Sequence, residues 1–387
     1  MNILLVSDAY LPTVSGVASS TDSIARFMAH EGHIVDLVCP KPLIPYEAPP
    51  LPGLTIWYTP SASDTLFVNK AYTPFPLGFG KLWHCFRSKR YDVVHIQEPG
   101  SLGITALFLA KLFRVPVVGA RHFSWLQIER LVPPWLRFAS VPFMKVYVSL
   151  IYRSYDAIMV PTKTAGKELE DLIGMKERIH AISNGVETNE YVPVTGNTSL
   201  LRKHNMIPDN TTVFLYIGRL DKDKNVETIF RAAAQCKAPL HLVIVGVGTE
   251  KDALIALGKE LKLSTRITWF EETTKSKIIE LYQSADVFVI MSPVETQSIV
   301  ALQAISCGLP LIAASAGALP ELINGKNGYL VDTYDINALA DKMETLAKDR
   351  ALRKSMGKES RALSRSHHKP TVLKQLEAIF TSLAKTS

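Results

Sequence analysis

A polar loop that precedes a helix carries the residues whose types could bind a phosphorylated sugar. The loop, Glu295 to Ser298, follows the apolar run 287–290, and the apolar residues from Ile299 onward recur at helical spacing. The first backbone N–H groups of a helix have no partner within the helix, so they can bind phosphate. A carboxylate repels phosphate, so Glu295 is better suited to accept hydrogen bonds from sugar hydroxyls. The alternative is an ordinary β-α-β unit with Glu295 solvated at the helix start.

The segment 218–224, Gly-Arg-Leu-Asp-Lys-Asp-Lys, is a second candidate for phosphate binding. Arg219 stands at a predicted strand end and Lys224 just before a predicted helix. A guanidinium binds phosphate as a fork and an ammonium binds it as a point charge, so the two could clamp a diphosphate. The glycine-rich turn 246–250 lacks the third glycine of a dinucleotide motif. The sequence contains no Walker-type lysine motif and no metal-ligand spacing, so we predict no metal site.

Two residues in the first half of the chain could approach the same kind of ligand. His122 follows the apolar run 115–120, and Gly16 precedes a predicted helix. Ligands of open α/β sheets bind at the carboxyl ends of strands, where an imidazole could donate or accept a hydrogen bond. A glycine beside a helix start lets a ligand come close to the backbone. The alternatives are a structural histidine and a plain turn.

Strands alternate with helices in both halves of the 387-residue chain. This alternation predicts an α/β fold with two doubly wound parallel sheets. Residues 187–211 are polar and irregular, so we predict a first domain over 1–195 and a second over 205–365. The segment 366–387 is predicted to be a helix that crosses back onto the first domain.

Composition restricts the class of protein. A content of 47% hydrophobic and 20% charged residues indicates a folded globular chain. The four cysteines are scattered, form no metal-like pair and suit a reducing compartment. The opening residues have no basic region and indicate a first strand instead of a signal peptide. No apolar run is long enough to span a bilayer.

The net charge of +7 is concentrated in one part of the chain. From Lys70 to Arg153 there are twelve Lys and Arg but three Asp and Glu. Within this region, residues 125–153 interleave aromatic and basic side chains, which is typical of a membrane interface. We therefore predict contact with an anionic membrane surface, and no nucleic acid partner because no nucleic-acid motif accompanies the charge. The alternative is a core helix with a solvated basic face.

Taken together, these segments resemble the retaining glycosyltransferases of family 4, which have the GT-B architecture of two Rossmann-like domains facing a cleft. The resemblance covers nearly the whole chain. It rests on the Gly16 loop, His122, the Ser-Asn-Gly-Val turn at 183–186, the segment 218–224 and the stretch 295–321. The Glu-Thr-Gln triplet and the aromatic-basic segment look most like the branch that glycosylates membrane lipids such as diacylglycerol.

The resemblance implies a role for each candidate residue. Arg219 and Lys224 would hold the diphosphate of the donor and stabilise the leaving group, and Glu295 would bind donor sugar hydroxyls. His122 would approach the donor sugar from the acceptor side. The donor-binding residues that it implies are Gly16, Gly218, Arg219, Lys224, Glu295, Gln297, Ser298, Ile299 and Gln303.

Two residues depart from the family pattern. Gln303 stands where a second glutamate usually binds the ribose, and Ser298 stands where glycine is common. An amide keeps one hydrogen bond to a ribose hydroxyl but loses the charge-assisted bond, which is worth ~1 kcal/mol more. The Ser298 side chain could crowd the phosphate. Either change could weaken donor binding or alter the choice of donor.

The function that the resemblance implies is a retaining, metal-independent hexosyltransferase with no cofactor besides its donor substrate. The donor would be a nucleotide-diphosphate sugar, with UDP-glucose-like donors favoured. The acceptor would be a membrane lipid such as diacylglycerol or a glycolipid, reached from the cytoplasmic side by a peripherally bound protein. The alternatives are a family 4 enzyme with a polysaccharide or soluble acceptor and a non-catalytic protein that binds sugar nucleotides or a membrane surface.

Overall fold

The computed structural model describes residues 1–13, 15–64, 70–123, 135, 137–194, 202, 207–271 and 274–385. Part of the predicted aromatic-basic segment, residues 125–134 and 136, therefore lies outside the described residues. Contacts divide the chain into two units. The first unit comprises Met1–Asn184 and Pro370–Ser387, and the second comprises Gly185–Lys369.

The first unit is built on a parallel sheet of seven strands. Its strands and helices, in chain order, are β1 (Asn2–Val6), α1 (Gly16–His30), β2 (Ile34–Pro40), β3 (Leu54–Thr59), β4 (Ala62–Asp64), β5 (Lys70–Tyr72), α2 (Phe79–Ser88), β6 (Val93–Ile96), α3 (Ser101–Leu112), β7 (Val117–Ala120), α4 (Arg137–Arg153), β8 (Ala157–Val160), α5 (Lys163–Ile173) and β9 (Ile179–Ala181). The sheet order is β3-β2-β1-β6-β7-β8-β9, and β4 and β5 form a separate antiparallel pair. Most of these strands are apolar and buried on both faces, as parallel strands covered by helices must be.

Helices cover both faces of this sheet. The core on one face is formed by side chains of α2, α3, α4 and α5 against residues such as Leu4, Val6 and Val94. The core on the other face includes α1 side chains against residues such as Ile3 and Leu5. The helices α2, α3 and α4 therefore share one layer of the unit.

The second unit is built on a parallel sheet of six strands. Its elements are β10 (Thr212–Ile217), α6 (Val226–Gln235), β11 (Leu240–Val245), α7 (Lys251–Glu260), β12 (Ile267–Phe270), α8 (Lys275–Ser284), β13 (Val287–Ile290), α9 (Ile299–Ser306), β14 (Leu311–Ala314), β15 (Gly328–Val331), α10 (Ile336–Lys348) and α11 (Arg350–Ser364). The sheet order is β12-β11-β10-β13-β14-β15. The prediction of two doubly wound parallel sheets is confirmed, and so is the helix that begins at Ile299.

The final helix, α12 (Lys369–Lys385), packs on the first unit. Its side chains Leu376 and Phe380 are fully buried in the core that includes β1 and α1. The Nε2 atom of His33 lies 2.9 Å from Oε1 of Glu377 and ties the middle of α12 to the residue before β2. None of the helices in the described part of the chain is both long enough and apolar enough to cross a bilayer.

Residues 185–194 belong to the second unit because α11 holds them. The Arg361 guanidinium donates to the carbonyl of Thr188 at 3.0 Å and to that of Tyr191 at 3.0 Å. The backbone N–H of Val186 donates to the carbonyl of His367 at 2.8 Å. The contact boundary therefore falls after Asn184, whereas the domains predicted from composition divide at 195.

Candidate functional site

The segment after β10 places Arg219 on the surface between two carboxylates. Its guanidinium forms ion pairs with Asp221 and, at 3.1 Å, with Asp223, and the side chain is 63% exposed. The hydroxyl of the buried Tyr216 donates to the backbone carbonyl of Arg219 at 2.8 Å. This bond fixes the backbone after Gly218, while the exposed guanidinium can exchange its acidic partners for a ligand.

Lys224 and Glu295, which stand 71 positions apart, come together in the second unit. Nζ of Lys224 donates to Oε1 of Glu295 at 2.7 Å, and the two side chains are only 14% and 13% exposed. Asp223 also lies 3.9 Å from the Lys224 ammonium. With Arg219 and Asp221, this makes a cluster of two cations and three carboxylates after β10 and β13.

Asn225 holds three loops of this cluster together, and the sequence analysis missed it. Its amide Nδ2 donates to the carbonyl of Met291 at 3.2 Å and to that of Thr333 at 2.7 Å, while Oδ1 accepts from Thr228. Its backbone is left-handed, with φ of 51°. Asparagine tolerates this conformation better than most residues. An Asn directly before a helix was the sequence signal that could have identified it.

Gly317 fixes the backbone of Glu295 and was also missed. Its φ of +55° is left-handed, and a Cβ there would lie 2.7 Å from the carbonyl oxygen and 2.8 Å from the nitrogen of Glu295. The N–H of Ala318 donates to the same carbonyl at 2.9 Å. Only glycine allows this approach. The loop after β14 therefore fixes the position of the Glu295 backbone, from which the carboxylate side chain extends.

Gln297, Ser298 and Ile299 lie at the start of α9, as the sequence predicted. Ser298 is the N-cap residue, and its hydroxyl accepts from the N–H of Ala301 at 3.3 Å. Serine is a preferred N-cap, which gives the departure from glycine a physical reason. The Gln297 and Ser298 side chains are nearly buried. Phosphate binding by this helix start stays a prediction.

Gln303 lies on α9 between two tyrosine hydroxyls. Its Oε1 lies 3.0 Å from the hydroxyl of Tyr282, and its Nε2 donates to the hydroxyl of Tyr191 at 3.0 Å. Both ends of the amide therefore have partners within the protein. The predicted contact with a ribose stays untested, but the two tyrosines show how this position keeps its orientation.

We expect Gln303→Glu to keep affinity for a nucleoside diphosphate or to raise it by up to about fivefold. Both oxygens of the new carboxylate accept hydrogen bonds, so the Tyr191 hydroxyl can turn and donate to it. A charged acceptor also binds ribose hydroxyls ~1 kcal/mol more strongly than an amide does. Calorimetric titration with UDP and GDP measures this, with Gln303→Leu as the control that loses the contact. A tenfold loss in a folded Gln303→Glu protein would contradict the ribose assignment.

The carboxyl end of β1 leads to Asp8 and then to the predicted Gly16. Asp8 accepts from the N–H groups of Leu102 at 3.1 Å and Gly103 at 3.3 Å, so it occupies the start of α3. Burial raises the pKa of Asp8 to about 6, although these bonds favour its charged form. Gly16 is exposed as the first residue of α1, whose N-cap is Ser15.

His122 belongs to a chain of hydrogen bonds within the first unit. His95 Nδ1 lies 3.0 Å from the carbonyl oxygen of Val118, and its Nε2 lies 2.8 Å from Nε2 of Gln97. Oε1 of Gln97 then lies 2.7 Å from Nε2 of His122. His95 and Gln97 are fully buried. Neither was singled out from the sequence, although both are polar residues within the strand-to-turn region 92–100.

This chain determines which ring nitrogens carry protons. Burial lowers the pKa of His95 to about 3 and that of His122 to about 4, so both rings are neutral near pH 7. The Val118 carbonyl only accepts, so His95 carries its proton on Nδ1 and accepts from Gln97 at Nε2. The Gln97 oxygen then faces His122, which must donate from Nε2. The other ring nitrogen of His122, Nδ1, is therefore the acceptor of the neutral ring.

We expect Gln97→Glu to raise the pKa of His95 from about 3 to above ~6. A carboxylate only accepts, so both neighbouring imidazoles must donate to it, and His95 can do so only as an imidazolium. Titration of the histidine ring signals by NMR measures the change. Gln97→Met, which fills similar space without hydrogen bonds, should leave His95 neutral. An unchanged His95 pKa in Gln97→Glu would contradict the proton assignment.

Buried histidines and a buried carboxyl make the stability of the first unit depend on pH. His95 and His122 have folded pKa values below the unfolded 6.5, so unfolding takes up protons and stability is lost as pH falls from 6.5 towards 4. Each contributes up to ~1.4 kcal/mol per pH unit. Asp8 has a raised folded pKa, so its contribution is lost as pH rises through 6. The two histidines outweigh the one carboxyl between pH 4 and 6.

Metal ligands are not clustered in the described residues: no group of three or more His, Cys, Asp or Glu there could hold an ion. The cluster after β10 and β13 offers instead two cations and three carboxylates. The cations suit phosphate groups, and a carboxylate such as Glu295 suits hydroxyl groups.

Comparison with known proteins matches both halves of the chain to glycosyltransferases. The family model "Glycosyltransferase Family 4" matches residues 14–190, and "Glycosyl transferases group 1" matches residues 197–363. The sulfoquinovosyl transferase SQD2 of Arabidopsis thaliana is 28% identical over 280 residues, which are 70% of this chain and 52% of that protein. The chain thus spans about half the length of that relative.

Two further similarities cover more of the chain. The alpha-monoglucosyldiacylglycerol synthase of Streptococcus pneumoniae is 24% identical over 84% of this chain and 74% of that protein. The sucrose-phosphate synthase of Thermosynechococcus elongatus superposes with a TM-score of 0.81 over all of both chains at 21% identity, which shows the fold alone. The two family models and the shared fold agree with the two-sheet architecture, so the chain belongs to the family 4 glycosyltransferases and has their GT-B fold.

Proposed function

We propose that this glycosyltransferase moves a sugar from a nucleotide-diphosphate sugar to a membrane lipid acceptor. We favour a UDP-glucose-like donor and an acceptor such as diacylglycerol or a glycolipid. We also propose retention of anomeric configuration without a metal ion. The observation that carries the lipid acceptor is the outer surface of α2, α3 and α4, which we name the three-helix face.

The three-helix face exposes large apolar side chains at helical spacing. On α4, Phe143, Val146 and Leu150 are 70%, 60% and 61% exposed and stand three and four residues apart. Phe138 on α4 and Phe108 on α3 are 83% and 61% exposed. A stripe at this spacing normally faces a protein core. Large exposed apolar patches mark surfaces that bind a membrane or a partner.

The helices that form this face carry basic residues and no acidic ones, although Lys111 pairs with Asp156, just after α4. The three helices contain six Lys and Arg and no Asp or Glu: Lys81, Arg87, Lys111, Arg137, Lys145 and Arg153. Exposed aromatic and aliphatic residues among cations suit the interface of an anionic bilayer. This supports a peripheral site of action on a membrane. Phe138 and Phe143 are exposed, whereas a core helix would bury them.

The cluster in the second unit supports the transfer reaction. Lys224 and Arg219 can neutralise the diphosphate as it leaves, and the Glu295 carboxylate can orient the sugar by accepting from its hydroxyls. Preorganised charges of this kind act on the developing charge of the transition state. The role of His122 at the donor sugar stays a prediction of the resemblance.

Two other functions make different predictions. A family 4 enzyme with a soluble or polysaccharide acceptor would transfer sugar without vesicles, and a non-catalytic protein would bind donors without consuming them. The deciding experiment is mass spectrometry of lipid extracts incubated with the purified protein and a panel of UDP- and GDP-sugars. We expect one glycolipid product from a matching donor. Transfer only to soluble acceptors, or no transfer, would overturn the proposal.

A further inference from the structure

A cavity of about 730 Å³ lies in the first unit where α2 and α3 end and β6 and β7 begin. The cavity lies at the amino ends of these strands, opposite the loops at the carboxyl ends of the sheet, where His122 and Asp8 stand. Four of the residues that line it are basic: Arg87, Lys89, Arg90 and Arg114. Among its described lining residues Asp92 is the one acid, and its carboxylate accepts from the N–H of Asn2 at 2.7 Å.

The basic side chains of this cavity are only partly compensated. Lys89 pairs with Asp36 at 2.7 Å, and the Arg87 guanidinium lies 6.0 Å from the Trp83 ring centroid. The guanidinium groups of Arg90 and Arg114 form no hydrogen bond or ion pair with the part of the chain that the structure describes.

The charge balance of the cavity favours an anion. Four cations and the two carboxylates of Asp36 and Asp92 leave a charge of +2. The carbonyl ends of α2 and α3 offset at most about half a charge each. A phosphate group suits the remaining positive charge, because guanidinium groups bind its oxygens as forks.

The cavity opens beside the three-helix face. Phe79, Trp83 and Arg87 stand four residues apart on α2, and the Phe79 and Trp83 rings stack at 5.9 Å. Phe113 lines the cavity and also contacts the Trp83 ring at 5.7 Å. Apolar rings thus lead directly to a basic recess, which is the order of groups that a phospholipid presents from its chains to its headgroup.

We propose that this cavity binds the phosphate of an anionic phospholipid headgroup and anchors the protein at a point separate from its donor site. The lipid source rests on the membrane contact in the proposed function. The shared chemistry is a phosphate ester, which a small soluble molecule could also supply, so the experiment has an arm for each source.

The test variant is Arg90→Gln/Arg114→Asn. Asparagine suits position 114 because its backbone is left-handed, with φ of 57°. The matched control is Arg350→Gln/Lys354→Gln, which removes the same charge from two exposed residues of the second unit. Thermal unfolding of all three proteins checks that each is folded.

Sedimentation with phosphatidylcholine vesicles, with and without phosphatidylglycerol, is the first arm. We expect the test variant to lose about 30-fold in affinity for the anionic vesicles, since each cation near the surface is worth about 1 kcal/mol, and the control to lose less than about twofold. Titration with glycerol phosphate, followed by NMR, is the second arm. We expect saturable binding to the parent protein and none to the test variant.

Three results would overturn the proposal. Equal vesicle binding by parent and test variant, with saturable glycerol phosphate binding, would make a free phosphate ester the ligand. Equal losses of vesicle affinity in the test and control variants would show that vesicle binding depends on the overall charge of the protein and not on this cavity. Absence of binding to either probe by the parent would remove the site. Glycolipid formation is measured separately. If the test and control variants differ in vesicle binding but the parent protein transfers no sugar, the cavity proposal stands and the proposed function is wrong. If sugar is transferred but the two variants bind vesicles alike, the proposed function stands and the cavity proposal is wrong.

Discussion

Replacing Lys224 by alanine should lower the rate of sugar transfer about 10²- to 10³-fold. The ammonium is nearly buried and fixed at 2.7 Å from Glu295, so it is preorganised to meet the charge that develops on a departing diphosphate. Removing one such donor costs about 2.7–4 kcal/mol in the transition state. Turnover with the matching donor, measured beside urea unfolding, separates lost catalysis from the stability lost when Glu295 has no partner.

Arg219→Ala should reduce turnover comparably, and Lys222→Ala provides the matched control. Lys222 belongs to the same 3-10 turn as Lys224, but its exposed side chain has no ion pair within the described residues. If charge near the turn were all that mattered, the three variants would behave alike. Near-parent turnover in both Arg219→Ala and Lys224→Ala would refute the diphosphate assignment.

The second large effect should come from the three-helix face: Phe143→Ser/Leu150→Ser should weaken vesicle binding at least about 30-fold. Both side chains are more than half exposed, and burying a large apolar side chain is worth about 1.5–3 kcal/mol. Vesicle sedimentation measures the loss. The residual binding should fall further as salt rises, because salt screens the attraction between the basic residues and the anionic lipid. The Debye length is about 8 Å at physiological ionic strength and shortens as salt is added.

The control for that prediction is Leu330→Ser/Tyr334→Ser. These residues of the second unit are 39% and 68% exposed, so the change removes exposed apolar surface elsewhere. Donor affinity, measured by calorimetry, should be unchanged in Phe143→Ser/Leu150→Ser. If that variant binds vesicles as the parent does, the lipid acceptor loses its support and a soluble acceptor becomes the leading function.

Periodic patterns in the sequence were enough to predict the two sheets and the start of α9. Parallel strands are short apolar runs, and their parallel direction follows from the alternation with helices, so local patterns carry that information. Lys224 and Glu295 were each predicted from the residues around them. Their direct ion pair was not, because it depends on how β10 and β13 pair in the sheet.

The residues that position the site were not predictable in the same way. Asn225 acts through carbonyls of Met291 and Thr333, and Gly317 acts through the space beside Glu295. Such roles arise from contacts between distant segments, and no local period marks them. Gln303 is similar: the family pattern predicts a ribose contact, whereas the two tyrosines that hold its amide are visible only in three dimensions.

The position of α12 has a consequence for synthesis on the ribosome. The Phe380 ring packs 5.3 Å from the His95 ring, yet the whole second unit is translated between these two residues. The second unit is continuous in the chain and can fold as soon as it emerges. The first unit must wait with part of its apolar core uncovered, although its strands emerge earlier. The nascent chain therefore completes its second unit before its first, the reverse of the usual order along a multidomain chain.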